Sequence, residues 1–239
     1  MAEFDNKKYD LPSDQAENGK LNKLRAAVLG ANDGIVSVSS VVMGVAGATS
    51  DSKAIATAGL AALVAGALSM AVGEYVSVSS QSDAEKSYIR EEEIDLKDNP
   101  ESELDELARE YQKQGVSRAT ALKVAAELTE KDALRAHLRV HFNLDPDDIN
   151  SPSHAAIASL IAFTLGGLVP FLVIVLTPEV YRIGATISAV LAALILTGYL
   201  SATAGNASRR RAVMRVVVGG LLAMAITYYI GVVFGSAIR

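Results

Sequence analysis

Asp33 is the only charge in one long apolar run of this sequence, and Glu74 is the only charge in a second, four residues after Met70. A charge within a membrane-length apolar segment is costly, which makes such a residue a functional candidate by default. At a rise of about 1.5 Å per residue, Asp33 lies roughly 12 Å inside the boundary marked by Arg25. If its helix leaves the membrane near Val78, Met70 sits at about the same depth, and it shares a helix face with Glu74, Ser77 and Gln81. A carboxylate and a thioether at one depth suit a mid-row divalent ion such as Fe(II) better than magnesium or calcium, which prefer all-oxygen sites. The alternatives are an aspartate bonded to backbone or serine, a methionine that only packs, and a Glu74 carboxylate reaching the headgroups.

A second group lies in a polar stretch. Glu92 and Asp95 are spaced i, i+3, and so are Glu103 and Glu106, so each pair projects from one face of its helix. Two such helices meeting would assemble four carboxylates. His137 and His141, at i, i+4, could add imidazoles. The competing reading is a solvated acidic face with surface histidines, His154 being interfacial. The chain has no cysteine, so disulfides and thiolate sites are excluded and a bound metal must use oxygen, imidazole or thioether.

The elements that must position these residues follow from the segregation of charge. Half of the 239 residues are hydrophobic and 21% are charged, yet five runs of about 20 residues or more are nearly charge-free. The fold class is an all-α membrane protein, with five transmembrane helices and a helical cytoplasmic insert between spans two and three. The spans run from Ala26 to Ala48, Ala54 to Ser80, Ala155 to Leu176, Ile183 to Ala204 and Ala212 to Ile238. Residues 1–25 read as a mobile cytoplasmic tail without the features of a signal peptide. Residues 81–150 hold 18 acidic and 10 basic residues, a local charge of −8 against −5 for the whole chain.

Within the insert, no helix breaker occurs from Asp83 to Leu96, so span two is expected to run on beyond the membrane. Asn99-Pro100 marks a stop, Glu101 to Gln114 a second helix closed by Gly115, and Ser117 the N-cap of a third through Thr129. A fourth short helix reaches Phe142 before Asp145-Pro146. In span three, Gly166-Gly167 with Pro170 predicts a kink. No internal repeat stands out.

Lys20, Lys23 and Arg25 precede span one, ten more basic residues lie in the insert, and Arg209, Arg210, Arg211 and Arg215 flank span five. The opposite side has only Lys53, Arg182 and Arg239. Basic flanks mark the cytoplasmic side, which puts the N-terminus and insert inside and the C-terminus outside. The tail without a targeting segment and the short loops point to a bacterial plasma membrane, with a vacuolar membrane second. No His-Glu-x-x-His, phosphate-binding glycine loop or cysteine nucleophile supports an enzyme. No organic cofactor and no nucleic-acid partner is expected.

Three motifs carry a resemblance: Gly30-Ala31-Asn32-Asp33-Gly34-Ile35-Val36-Ser37, then Gly66-Ala67-Leu68-Ser69-Met70-Ala71-Val72-Gly73-Glu74-Tyr75-Val76-Ser77, then Leu165-Gly166-Gly167-Leu168-Val169-Pro170. In order and spacing they resemble the vacuolar iron transporter family over roughly residues 20–238. The resemblance implies a homodimer of five-helix subunits in the lipid bilayer that moves Fe(II), and often Mn(II), out of the cytoplasm in exchange for protons. It places intramembrane metal ligands at Asp33 and Met70. It places those of a cytoplasmic metal-binding domain at Glu92, Asp95, Glu103 and Glu106. Glu74, on the cytoplasmic side of Met70, is expected from its position to act as a relay to Asp33 and Met70. Where plant members carry two methionines and a glutamate, this chain has Arg139, Val140 and Asn143, with His137 or His141 as substitutes. Where they carry acidic residues near the start of span one and within span two, it has Asn22 and Ala62. The rival of a different class is a membrane-anchored metal sensor or scaffold, which would have no use for Asp33 paired with Met70.

Overall fold

The computed structural model describes residues 14–205 and 207–237, with side chains from residue 27 onward except at Ala204. All seven elements are helices: α1 Asp14–Ala48, α2 Ser52–Asp98, α3 Pro100–Lys113, α4 Arg118–Phe142, α5 Pro152–Leu176, α6 Glu179–Ala204 and α7 Arg209–Ala237. Five are long and apolar enough to cross a membrane: Ala27–Ala48 of α1, then α2, α5, α6 and α7. The protein is thus an all-α integral membrane protein, as the charge-free runs require. Of the expected tail, residues 1–13 lie outside the described residues, as do the side chains of Asn22, Lys20, Lys23 and Arg25, and Ile238 and Arg239. Residues 14–25, read from sequence as tail, instead extend α1. No proline interrupts the chain between Asp14 and Ala48, so the helix can propagate outward from its apolar half.

The chain divides into two packed units, Met1–Gly73 with Ala156–Arg239, and Glu74–Ala155. In the first, α1 is central. One of its faces carries Val38 and Val42 against Leu63 and Ala67 of α2 and Phe163 of α5. Another carries Ile35 and Met43 against Val190 and Leu194 of α6 and Met224 of α7. Two glycine pairs let backbones approach. A Cβ on Gly34 would lie 2.8 Å from Gly167 N of α5, and one on Gly235 would lie 2.6 Å from Ala48 Cα of α1. The small-xxx-small spacings Gly30/Gly34 and Gly231/Gly235 therefore serve packing within one chain. α5 runs as one helix through Pro170. Arg182 of α6 is buried and donates from Nη2 to Ser52 Oγ at 2.7 Å, tying the starts of α6 and α2.

The second unit contains the end of α2 with α3 and α4, around Leu107, Ala108, Ala121, Ala125 and Ala136. Its boundaries follow local chemistry. Pro100 opens α3 at a position where its missing N–H costs nothing. Gly115 takes φ +98°, a left-handed conformation that favours glycine. Ser117 caps α4, its side chain accepting from Thr120 N. The third and fourth helices expected from sequence are the two halves of α4, which breaks at Asp132 (φ −170°, ψ 89°).

Candidate metal sites

The first site lies in the unit built on α1. Asp33, Ser37 and Val41 of α1, Ala62, Gly66, Ser69 and Met70 of α2, and Phe163 of α5 line an open cleft of about 330 Å³. Asp33 and Met70 therefore line one space. Glycines shape it: a Cβ on Gly66 would strike the Phe163 ring, 2.7 Å from Cε1, and one on Gly30 would touch Met70 Cε at 3.5 Å. Asp33 is exposed, and one of its oxygens accepts a bond from Ser37 Oγ at 3.0 Å. Its remaining lone pairs can take a cation. Ser37, one helical turn after Asp33 on the same face, supplies the serine bond that the alternative reading of this aspartate named, without using up its oxygens. Ala62 lines the same cleft and offers no ligand atom. Glu74 is half-buried, four residues farther along α2.

The second site lies wholly within the unit Glu74–Ala155. Three helices converge on it: α2 supplies Glu92 and Asp95, α3 supplies Glu103 and Glu106, and the second half of α4 supplies His137 and His141. Glu92, His137 and His141 each offer a ligand atom, all within 4.8 Å of one another. His137 Nδ1 lies 2.7 Å from Glu92 Oε1 and 3.5 Å from Glu103 Oε2, and His141 Nε2 lies 3.8 Å from Glu106 Oε1. The 2.7 Å pair is close without being aligned as a hydrogen bond, since Glu92 Oε1 and both nitrogens of His137 are buried with no hydrogen-bond partner. His137 is 0% exposed. A buried imidazole with two idle nitrogens costs free energy unless something uses them. Asp95 and Glu106 are exposed, at the rim.

The charges in this cluster strain one another. Glu103 is held above its usual carboxylate range, first by burial and then by the charges of Glu106, Glu92 and Asp95. His137 is held below 6.5, first by burial, with Glu92 opposing and His141 reinforcing that direction. A neutral imidazole beside crowded carboxylates is the protonation state a divalent cation needs. The histidines, only additional candidates on sequence grounds, are thus central to the geometry. Of the three residues in which the sequence departs from the resembled pattern, Arg139 binds Asp145, Val140 joins the core, and Asn143 takes the left-handed helix end at φ 51°. Tyr88 stacks on Phe142 at 4.6 Å, pinning α2 to the end of α4 beside His141. No spacing rule could have revealed that pair.

The profile of the VIT family matches residues 24–232. The chain belongs to the VIT family. It is similar to a vacuolar iron transporter of Acanthamoeba castellanii, 43% identical over 214 residues that cover 89% of this chain and 79% of the relative. It is also similar to vacuolar iron transporter homolog 4 of Arabidopsis thaliana, 36% identical over 97% of this chain and 96% of the relative. Vacuolar iron transporter homolog 2 of Oryza sativa is 38% identical over 86% of this chain and 87% of the relative. VIT-family membership accords with the three motifs above, two of which supply the cleft residues Asp33, Ser37, Gly66, Ser69 and Met70.

Proposed function

We propose that this VIT-family protein exports Fe(II), and secondarily Mn(II), from the cytoplasm by proton antiport, with Asp33 and Met70 as the membrane site. The carrying observation is that a carboxylate and a thioether from two membrane-length helices line one cleft. Glu74 serves as relay on the cytoplasmic side, so Glu74→Gln slows transport or shifts its pH dependence. The cluster of Glu92, Asp95, Glu103, Glu106, His137 and His141 captures metal in the cytoplasm. An orientation with the N-terminus and insert inside fits the distribution of basic residues, and we place the protein in a bacterial plasma membrane, with a vacuolar membrane second. Reconstituted protein should take up Fe(II) into liposomes faster than protein-free liposomes do. Uptake at the protein-free rate, with metal retained on the insert, would favour the anchored sensor or scaffold instead.

A homodimer completes the membrane site. Asp33 is exposed on the isolated chain although it lies in a membrane-length apolar helix, and a carboxylate facing lipid is disfavoured. A second copy over α1 would shield it and bring a second carboxylate and thioether, making four ligands. The glycine pairs do not argue for this dimer, because they are spent on contacts within the chain. Mass measurement in nanodiscs should give twice the chain mass of 25.1 kDa. A purely monomeric species that still transports would refute the shared site.

A further inference from the structure

The geometry points to Arg135 as the positioning residue that fixes both imidazoles of the cluster in the unit Glu74–Ala155, an inference resting on the reading of that cluster as a metal site. α4 breaks at Asp132, where extended backbone interrupts the helix. Backbone hydrogen bonding therefore does not dictate how the second half of α4 sits against the first. That second half carries both His137 and His141. Their donor atoms must hold their places to within a fraction of an ångström if a metal is to be bound, so something else must set the segment.

Arg135 lies on the face of this segment opposite the two histidines. Its backbone N–H donates to Asp132 Oδ1 at 3.0 Å, and its Nε donates to Asp132 Oδ2 at 3.2 Å, which closes the break from the front. Its Nη1 donates to both oxygens of Asp145 at 2.8 and 3.0 Å, and its Nη2 donates to Asp147, which holds the loop behind the segment. Arg139 adds a bond to Asp145 at 3.4 Å. One guanidinium thus ties the residue before the histidines to the loop after them. Isolated exposed ion pairs contribute little, but Asp145 is only 11% exposed and the network joins three carboxylates. The arrangement also engages Asp132, Asp145 and Asp147, so they do not compete with the cluster for a cation.

The test uses Co(II), whose visible bands report its ligands, added to the full chain in detergent. Asp33→Asn and Met70→Leu in the background silence the membrane cleft. Arg135→Gln should weaken Co(II) binding by about tenfold to a hundredfold, the usual effect of losing a group that orients a ligand. The bands should move toward those of His137→Gln, and Arg135→Lys should recover only part of the affinity because an ammonium lacks the planar fork. Arg109→Gln, which breaks an exposed pair with Asp105 within α3, should change neither readout. Parental affinity and bands in Arg135→Gln would overturn the inference, as would an equal loss in Arg109→Gln. If Arg135→Gln fails to fold, Asp147→Asn, at a side chain 78% exposed, should still weaken binding severalfold, and no change there overturns the inference too. Absence of Co(II) binding by the background chain itself would instead bring down the underlying metal-site reading, and this inference with it.

Discussion

Asp33→Asn is expected to reduce Fe(II) transport to the rate of protein-free liposomes, while thermal stability and metal binding by the cluster at Glu92 and His137 stay parental. The substitution keeps the size of the side chain, and its amide oxygen can still accept the bond from Ser37. Only the charge is lost. Among the described residues no other charged group lines the cleft: Ser37 and Ser69 offer hydroxyls, Met70 a thioether, and Ala62 nothing. A divalent ion giving up part of its water would then find no negative charge to offset that loss. Met70→Leu should act more selectively. The volumes are close, so packing changes little, but the soft donor disappears, and Fe(II) should suffer more than the harder Mn(II). Parallel uptake assays with both ions measure this, and an equal loss for both would remove Met70 from the ligand set.

The second large effect is expected at His137, where binding and stability should move in opposite directions. His137→Leu removes a ligand atom from the centre of the cluster, so metal affinity there should fall by a hundredfold or more, about 2.7 kcal/mol. The same change removes two buried nitrogens that have no hydrogen-bond partner in the metal-free protein. Replacing an unsatisfied buried polar group by an apolar one of similar size removes its desolvation cost, which is set against the lost 2.7 Å contact with Glu92, so the metal-free protein should melt at a slightly higher temperature. A residue that only supports the fold would lower both quantities, and that outcome would make His137 structural. The pH dependence has a definite sign. Because the folded protein holds His137 below 6.5, acidification below that value lets the unfolded chain take up a proton that the folded chain refuses. The His137 contribution to metal-free stability therefore falls as pH drops from 6.5 toward the depressed value. Glu103 has the opposite sign, since its raised value lets the folded chain bind a proton first as pH falls toward the ordinary 4.5. Calorimetric melting of parent and His137→Leu across this range separates the two, because only the parent carries the histidine contribution.

Much of this architecture was legible from residue types because the controlling physics is local. Charge-free runs fix where membrane-length helices lie, a proline after Asn99 fixes a boundary, and Ser117 and Gly115 act within a few bonds of their own backbone. The similar depth of Asp33 and Met70 was also accessible, since position along a helix can be counted. That they line one cleft depends on the orientation of α1 against α2, which cannot be counted in that way. The i, i+3 spacing of Glu92 with Asp95 shows that they share a face, but gives no sign that Glu92 turns inward against His137 while Asp95 stays at the rim. His137 looked like a surface residue because nothing in its own helix shows that Glu92 of α2 and Glu103 of α3 close around it. Glycine spacing has a related limit: it reveals that a backbone can approach closely, and not which helix approaches it. Gly34 meets α5 and Gly235 meets α1, both within one chain.

Exchange of a divalent metal for protons at the cleft of Asp33 and Met70 can be read directly. Liposomes carrying the protein, loaded with a metal-sensitive and a pH-sensitive dye and given an acidic lumen, report both fluxes at once. External Fe(II) should enter with the lumen becoming more alkaline in step, collapsing the pH gradient should slow entry, and Asp33→Asn should stop both signals. Metal entry at the parental rate through Asp33→Asn, or entry with no accompanying proton movement, would contradict exchange at this cleft.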